Sequence, residues 1–160
     1  MYDCIAELLD SKTDGWVHDT TWGRNPPDKL PKRERAALER YIASRQRAVA
    51  NGVSYKELFS FTVERIERLR DAILESFQEE AYDVRVLERG LDLSLPDFFV
   101  TNKGELIISH VDATPAGGRR KYLFIECEPL ADLYHDWFEE CWTASAVPRR
   151  AISDERQTAV

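Results

Sequence analysis

The stretch that decides the fold reads Pro96-Asp97-Phe98-Phe99-Val100, then Glu105-Leu106-Ile107-Ile108, then Lys121-Tyr122-Leu123-Phe124-Ile125. Each run is short, apolar and bounded by polar or turn-forming residues, so we expect three strands. An amphipathic helix follows, because apolar residues recur at the spacing of one helical face. That face comprises Leu130, Leu133, Tyr134, Trp137, Phe138, Cys141 and Trp142. Pro129 suits the first turn of this helix, where its missing N–H costs nothing.

Upstream of this stretch, helices alternate with strands. The periodicity predicts helices over residues 2–10, 31–50 and 62–80, and strands over 15–22, 53–61 and 82–87. Strands that alternate with long helices are typical of βαβ crossovers, which pair strands in parallel. We therefore predict an α/β fold with a mixed, mainly parallel sheet flanked by helices. Residues 1–147 are expected to form one domain, and residues 148–160 a flexible C-terminal tail.

The composition of the chain argues against several functional classes. The net charge is −7, which argues against nucleic acid as a partner, because binding to phosphates needs a basic surface. No apolar run approaches the roughly 18 residues of a membrane span, and no signal-peptide pattern opens the chain. The cysteines Cys4, Cys127 and Cys141 are too widely spaced for a zinc motif or a disulfide framework. These features favour a cytoplasmic protein that uses neither a metal nor another cofactor.

Several segments resemble phospholipase D-like domains. Asn51-Gly52-Val53-Ser54-Tyr55-Lys56-Glu57-Leu58 is similar to the crossover of that family, and residues 82–87 are similar to its next strand. Residues 97–108 resemble its K-x-x-x-x-D-G hairpin, and residues 121–142 its closing strand, proline-led helix and terminal F-x-x-x-W. The likeness runs from about Gly15 to Trp142 in this order, and it implies one half of a phospholipase D-like fold.

The catalytic motif of that family is not kept. Catalytic members carry H-x-K-x-x-x-x-D, in which the histidine attacks a phosphodiester, whereas this chain has Leu95, Asp97 and Asn102 at the three positions. The resemblance therefore implies a pseudoenzyme that acts as a regulatory, ligand-sensing or protein-interaction module. Active members pair two halves, so a single half implies a homodimer, with a protein or small molecule as its further partner.

A second hypothesis is a metal-dependent nuclease of the restriction-endonuclease-like type. Asp97 after a proline, with Glu126 and Glu128 further on, loosely follows a P-D…E-x-K pattern whose carboxylates bind Mg²⁺ and activate water. Glu126 and Glu128 would share one face of a strand. The alternative without a metal site is that Asp97 caps a loop and the two glutamates flank Cys127 at the rim of the sheet. A third hypothesis is a structural subunit, in which the sheet is only a scaffold.

Candidate ligand-binding residues follow from the predicted topology. In an open α/β sheet, ligands bind beyond the carboxyl ends of the strands. The residues expected at that edge are Trp22, Arg24, Phe59, Asp97 and His110. His18 is a further candidate for acid–base chemistry if a partner lies within hydrogen-bond reach. His135 falls on the polar face of the last helix and is predicted to be exposed to solvent without a role.

Overall fold

The computed structural model describes residues 1–21, 31–61, 82–88, 97–111 and 120–146. The helices in these ranges are α1 (Tyr2–Asp10), α2 (Lys32–Ala50) and α3 (Glu128–Ala144). The strands are β1 (Trp16–Thr21), β2 (Ser54–Phe61), β3 (Asp83–Glu88), β4 (Asp97–Thr101), β5 (Glu105–Val111) and β6 (Arg120–Glu126). The predicted elements that fall within these ranges are confirmed.

The strands form one open, mixed sheet in the order β3-β2-β1-β4-β5-β6. The predicted α/β class, with a mixed sheet and flanking helices, is confirmed. The expectation of a mainly parallel sheet is wrong, because only β1–β2 and β2–β3 are parallel, while β1–β4, β4–β5 and β5–β6 are antiparallel. The reason lies partly in the connection between β4 and β5. Residues 102–104 form a tight turn that ends at Gly104 with φ +75°, far too short for a parallel crossover.

Some predictions concern residues that the structure does not describe. The predicted helix over residues 62–80 and the predicted tail over residues 148–160 lie outside the described ranges. The assignment of residues 1–147 to a single domain stays a prediction. In the described part of the chain, no helix is both long and apolar enough to cross a membrane.

One face of the sheet is covered by α1 and α2. The apolar part of its core consists mainly of Ile5, Leu9, Val17, Leu38, Tyr41, Val53, Tyr55, Phe99 and Ile107. The odd-numbered residues of β1 and β2 point to this side, as the period of two along a strand requires. We refer to this side as the α1–α2 face.

Polar groups are also buried on the α1–α2 face, and two sets of them are joined by hydrogen bonds. The Tyr41 and Tyr55 hydroxyls donate hydrogen bonds of 2.6 and 2.7 Å to Asp19 Oδ2. Beside them, Arg45 Nη1 lies 2.9 Å from Glu57 Oε2, and these side chains are 3% and 0% exposed. Burial acts to lower the pKa of Arg45, but the surrounding acidic groups, Tyr41 and Glu57 foremost, outweigh it and raise the pKa above its usual range. The Arg45 guanidinium is therefore charged in the folded protein.

The other face of the sheet is covered by α3. Its core consists of Leu58, Phe98, Val100, Leu106, Ala131, Phe138 and Trp142. Phe138 is completely buried, whereas Trp137 is only partly buried and stacks on Phe98 with ring centroids 5.2 Å apart. Helix α3 is therefore amphipathic, with Phe138 at the centre of its packed surface, but Leu133 of the predicted apolar face is 62% exposed. We refer to this side as the α3 face.

The two edges of the sheet differ. At the β3 edge, Val86 and Ala146 exchange two backbone hydrogen bonds of 2.9 Å, so the end of the described chain covers part of this strand. At the β6 edge, Leu123 and Phe124 are 60% and 47% exposed. Large exposed apolar side chains on the described surface are thus concentrated on β6 and on the adjacent helix.

Candidate functional site

A buried histidine lies at the centre of the α3 face. His18 is the third residue of β1, and strand alternation places it opposite to Val17 and Asp19, which face the other side. Its side chain is 3% exposed, and its ring stacks on Phe138 at a centroid distance of 4.2 Å. The imidazole is therefore held in one orientation between the sheet and α3.

Helix α3 adds two further polar groups on the same side. His135 and Glu139 are four residues apart, so they lie one above the other on the helix surface. His135 Nδ1 is 3.2 Å from His18 Nδ1, and Glu139 Oε1 is 3.4 Å from His18 Nε2. We call His18, His135 and Glu139 the histidine cluster. Within the described residues, it is the one group of three histidine, cysteine or acidic side chains whose ligand atoms all lie within 4.8 Å of one another.

A lysine completes this arrangement. Lys56 stands beside His18 on the parallel neighbour β2, and its Nζ donates a hydrogen bond of 2.7 Å to Glu139 Oε1. The same ammonium lies 5.3 Å from the centre of the Trp142 ring. Lys56 and Glu139 are 24% and 38% exposed, so this ion pair is open to solvent while His18 is not.

Burial sets the charge of the central imidazole. The pKa of His18 falls from its ordinary 6.5 to about 3, mainly because burial removes the charged form from water, and further through electrostatic repulsion of that charged form by Lys56 and His135. His18 is therefore neutral at pH 7 and keeps a lone pair on one ring nitrogen. The Trp16 ring stacks on His18 at a centroid distance of 4.6 Å and lies tilted against His135 at 4.5 Å. This aromatic wall limits how far either ring can turn.

The arrangement has the donor set of a transition-metal site. Neutral imidazole nitrogen and carboxylate oxygen are typical ligands of Zn²⁺ and related ions, and three protein ligands leave a position for water or a ligand. An opposing feature is the Lys56 ammonium, which already neutralises Glu139. A metal ion would have to displace that ammonium from the carboxylate.

The predicted ligand-binding residues are only partly described. Trp22 and Arg24 lie outside the described residues, and His110 is described only as a backbone position in β5. Phe59 ends up buried at the carboxyl end of β2, opposite Thr21, and Asp97 opens β4 at the same end of the sheet. The role of this set stays a prediction.

Asp97 also borders a cleft on the α1–α2 face. The cleft is open to solvent and is lined by Met1, Tyr2, Ile5, Asp19, Thr20, Tyr41, Asp97, Phe98, Phe99 and Ile107. Its central carboxylate, Asp19, is held by the two tyrosine hydroxyls. The Asp19 carboxylate is thus engaged by the buried tyrosine hydroxyls and is not directed toward a ligand in the cleft.

The three carboxylates of the nuclease hypothesis do not converge. Asp97 pairs with Ser109 of β5, whereas Glu126 pairs with Glu105, four residues away along the same strand. At about 3.3 Å per residue, these two positions lie roughly 13 Å apart along the sheet. Glu128 belongs to α3, not to a strand, so it does not share a strand face with Glu126. The structure therefore does not bring Asp97 together with Glu126 and Glu128.

Asn102, which stands at the acid position of the H-x-K-x-x-x-x-D motif, has a structural role. Asn102 lies in the β4–β5 turn, where its backbone N–H donates to Trp16 O at 3.3 Å and its side-chain oxygen accepts from Trp16 N at 3.4 Å. Gly15, with φ +87°, lies against this amide, and a Cβ there would come within 2.4 Å of it. Asn102 thus anchors the start of β1 at the opposite end of β4 from Asp97.

The sequence analysis missed most of the histidine cluster. The prediction that His135 is simply exposed is wrong, because its ring is half-buried between Trp16 and His18. A signal was present, since His135 and Glu139 share a helical face at i, i+4. The second signal was that His18 alternates with Val17 and therefore had to face away from it. The two signals could be combined only by knowing that α3 packs on the face of β1 that carries His18.

Comparison with known proteins gives structural matches only. No family model and no curated protein sequence matches the chain. The structure of TrmBL2, an archaeal chromatin protein with a novel mode of DNA binding, matches at a TM-score of 0.56 and 18% identity, over 88% of this chain and 47% of that one. NucT from Helicobacter pylori, a phospholipase D-like nuclease, matches at a TM-score of 0.52 and 8% identity, over 89% of this chain and 87% of that one.

One earlier expectation is contradicted by these matches. The net charge of −7 argues against nucleic acid as a partner, yet the same fold occurs in TrmBL2, which binds DNA. Net charge sums over the whole surface and does not report a local basic region. The chain spans about half the length of TrmBL2. At these identities, the matches show that the chain shares its fold with TrmBL2 and NucT.

Proposed function

We propose that this chain is a catalytically silent, phospholipase D-like module that senses a divalent transition-metal ion through the histidine cluster. The observation that carries the proposal is the approach of two imidazoles and one carboxylate from two separate elements, β1 and α3, in a protein whose motif positions lack the catalytic residues. A metal ion held by both elements would fix α3 on the sheet. A regulatory module could in this way respond to metal binding through a change in how α3 is held on the sheet.

The exchange of cations provides the response. In the metal-free protein, Lys56 neutralises Glu139, and the buried His18 contributes no charge. When a metal ion takes the carboxylate, the Lys56 ammonium is released, and the face of Trp142 lies within reach to receive it. Binding would thereby alter the contacts between β2 and α3.

The silent part of the proposal rests on the motif positions. Asp97 and Asn102 lie at opposite ends of β4, and the Asn102 amide is engaged with the start of β1. A covalent route needs an activated nucleophile close to its base. We therefore expect no cleavage of DNA, RNA or a generic phosphodiester, with or without Mg²⁺ or Mn²⁺. Metal-dependent cleavage that disappears in an Asp97→Ala, Glu126→Ala double variant would instead support the nuclease hypothesis.

Metal binding is tested by calorimetry on the purified chain with Zn²⁺, Co²⁺ and Mg²⁺. We expect one Zn²⁺ or Co²⁺ per chain and no binding of Mg²⁺, because Mg²⁺ prefers oxygen ligands. Glu139→Gln should weaken Zn²⁺ binding at least about tenfold, a loss of the size seen when a metal-site interaction is removed. Glu140→Gln, one residue along α3 and outside the cluster, is the matched control and should bind as the parent does.

A third variant tests whether the Lys56 ammonium competes with a metal ion for Glu139. Lys56→Met removes the ammonium from Glu139 and should tighten Zn²⁺ binding, since the ion no longer has to displace a charge. Absence of Zn²⁺ and Co²⁺ binding in both the parent and Lys56→Met would rule out the metal-sensing proposal. In that case the cluster is a structural contact between β1 and α3.

Nucleic-acid binding is a second candidate function, and one local feature favours it. Lys32, Arg33 and Arg35 are exposed in the first turn of α2, although the chain as a whole is acidic. Clustered basic side chains bind phosphates, and such binding weakens steeply as salt rises. The match to a DNA-binding chromatin protein gives a reason to measure it.

Fluorescence anisotropy with a labelled DNA duplex at low and moderate salt tests this candidate. Arg33→Glu should reduce affinity and the salt dependence together, whereas Arg40→Glu, an arginine paired with Asp3 later in the same helix, should have less effect. Anisotropy that does not change with protein concentration at low salt would remove nucleic acid from consideration.

A further inference from the structure

The β6 edge of the sheet has the properties of an interface. Among the described strands, β6 pairs only with β5, so its outer side is an edge. Tyr122, Leu123 and Phe124 are consecutive and are 38%, 60% and 47% exposed. Because successive side chains point to opposite faces, this edge is apolar on both sides. Edge strands are usually protected by central charges, prolines or bulges, and the central positions of β6 carry none of these.

The other edge does not share these properties. On β3, Val84 and Val86 are buried, and Ala146 pairs with Val86 through both of its backbone groups. The chain thus covers part of one edge with its own backbone. The contrast indicates that the exposure of β6 is a local property of this strand and not of the fold as a whole.

The sequence of β6 is complementary to itself. It reads Arg120-Lys121-Tyr122-Leu123-Phe124-Ile125-Glu126, with basic residues at one end, an acidic residue at the other and apolar residues between. When two copies lie antiparallel with Leu123 opposite Leu123, position 122 faces 124, and position 120, an arginine, faces position 126, a glutamate. A two-fold axis normal to the sheet requires opposing positions of equal parity, so that they share a face, and this register satisfies that condition.

We propose that β6 pairs with β6 of a second copy of this chain about a two-fold axis at Leu123, which joins two six-stranded sheets into one. The inference goes beyond the proposed metal response and does not depend on it. Aromatic cross-strand pairs between Tyr122 and Phe124 occupy the centre, and opposite charges meet at both ends. Each of these pair types stabilises antiparallel sheets. A second copy fits better than an unrelated strand, because one register satisfies the charged ends and the apolar centre together.

Sedimentation velocity over a range of concentrations tests the assembly. The parent should be a dimer at tens of micromolar, and Leu123→Arg should weaken association at least about tenfold, because it places two like charges directly opposite each other. Ala50→Arg, an exposed change at the end of α2, is the control and should leave the dimer intact. Circular dichroism confirms that each variant is folded. A parent that stays monomeric at about 100 μM, a concentration at which a specific dimer is populated, overturns the proposal.

Charge exchange tests the register. Arg120→Glu and Glu126→Arg should each weaken the dimer, since each places like charges opposite each other. The double variant re-forms both pairs in reverse and should restore association to within about threefold of the parent. Failure of the double variant to restore the dimer would overturn the antiparallel register.

Cross-linking tests the position of the axis. In a Cys4→Ser, Cys127→Ser background, Leu123→Cys should form a disulfide-linked dimer on mild oxidation, because directly opposed residues lie within the span of a disulfide. Ala50→Cys in the same background is the exposed control and should remain monomeric on denaturing gels. Equal cross-linking of the two variants would contradict the proposed axis.

Discussion

The two faces of the sheet bury charged and titratable groups in different ways. On the α1–α2 face, Arg45 is buried against Glu57, which is itself fully buried. On the α3 face, His18 is just as deeply buried, but its neighbours Lys56 and Glu139 reach solvent. A buried group whose partner is also buried can only stabilise the fold. A buried group whose partners are exposed can exchange those partners for a ligand. The exposure of the partners therefore distinguishes a structural role from a ligand-binding role.

The largest effect should come from the ion pair on the α1–α2 face. Arg45→Met leaves the Glu57 carboxylate in the interior without its guanidinium, and removal of one partner from a buried pair costs about 3–5 kcal/mol. Urea denaturation of the parent and the variant measures the loss in the free energy of unfolding.

The matched control for this variant is an exposed ion pair. Arg40 and Asp3 lie 2.8 Å apart, with side chains 58% and 52% exposed. Arg40→Met should therefore cost less than about 1 kcal/mol. If Arg45→Met and Arg40→Met destabilise the protein equally, the α1–α2 face does not depend on its buried pair.

The second effect belongs to the α3 face and depends on pH. His18 has a pKa of about 3 in the folded protein and 6.5 when unfolded, so below pH 6.5 the unfolded state binds more protons. The contribution of neutral His18 to the free energy of unfolding is then fully present above pH 6.5 and is lost as the pH falls toward 3. The loss is about 2 kcal/mol between pH 7.5 and pH 5. Burial of the imidazole is the main cause of this loss, and Lys56 and His135 add to it.

Urea denaturation of metal-free protein at the two pH values measures this loss. His18→Gln removes the titrating group, so the difference in stability between pH 7.5 and pH 5 should shrink by most of that amount. The His18 assignment is wrong if the parent and the variant lose equal stability on acidification.

The smallest effect concerns a single hydrogen bond on the α1–α2 face. Tyr41→Phe removes one of the two phenolic donors to Asp19, at a cost of about 1 kcal/mol, because Tyr55 still donates to the same oxygen. Tyr55→Phe should behave alike. The double variant deprives Asp19 of both phenols and should cost more than the sum. Strict additivity in this double-mutant cycle would show that the three groups do not act as a network.

The elements of the fold could be predicted from the sequence because their signals are local. The apolar spacing of α3, the Asn51-Gly52 stop after α2 and the short run of β4 each require only neighbouring residues. The direction of strand pairing could not be predicted in the same way, because it depends on which distant strands become neighbours.

The candidate site depends on long-range pairing to a greater degree. His18 and His135 are 117 residues apart and meet only after β1 is placed beneath α3. The separation of Asp97 from Glu126 could not be foreseen for a related reason, because sequence order does not reveal which end of a strand lies beside which end of its neighbour. The tight β4–β5 turn reverses the chain and separates Asp97 from Glu126.

The central position of β1 has a consequence for the order of folding. Strands β4, β5 and β6 and helix α3 follow one another in the sequence, so much of their contact closes short loops, which form rapidly. By contrast, Thr20 of β1 bonds to Phe98 across 78 residues, and closing so long a loop is slower. We expect the C-terminal half to assemble first in refolding and β1 to be inserted last. During synthesis, β1 must therefore wait until β4, at residues 97–101, has been made before both of its neighbours exist.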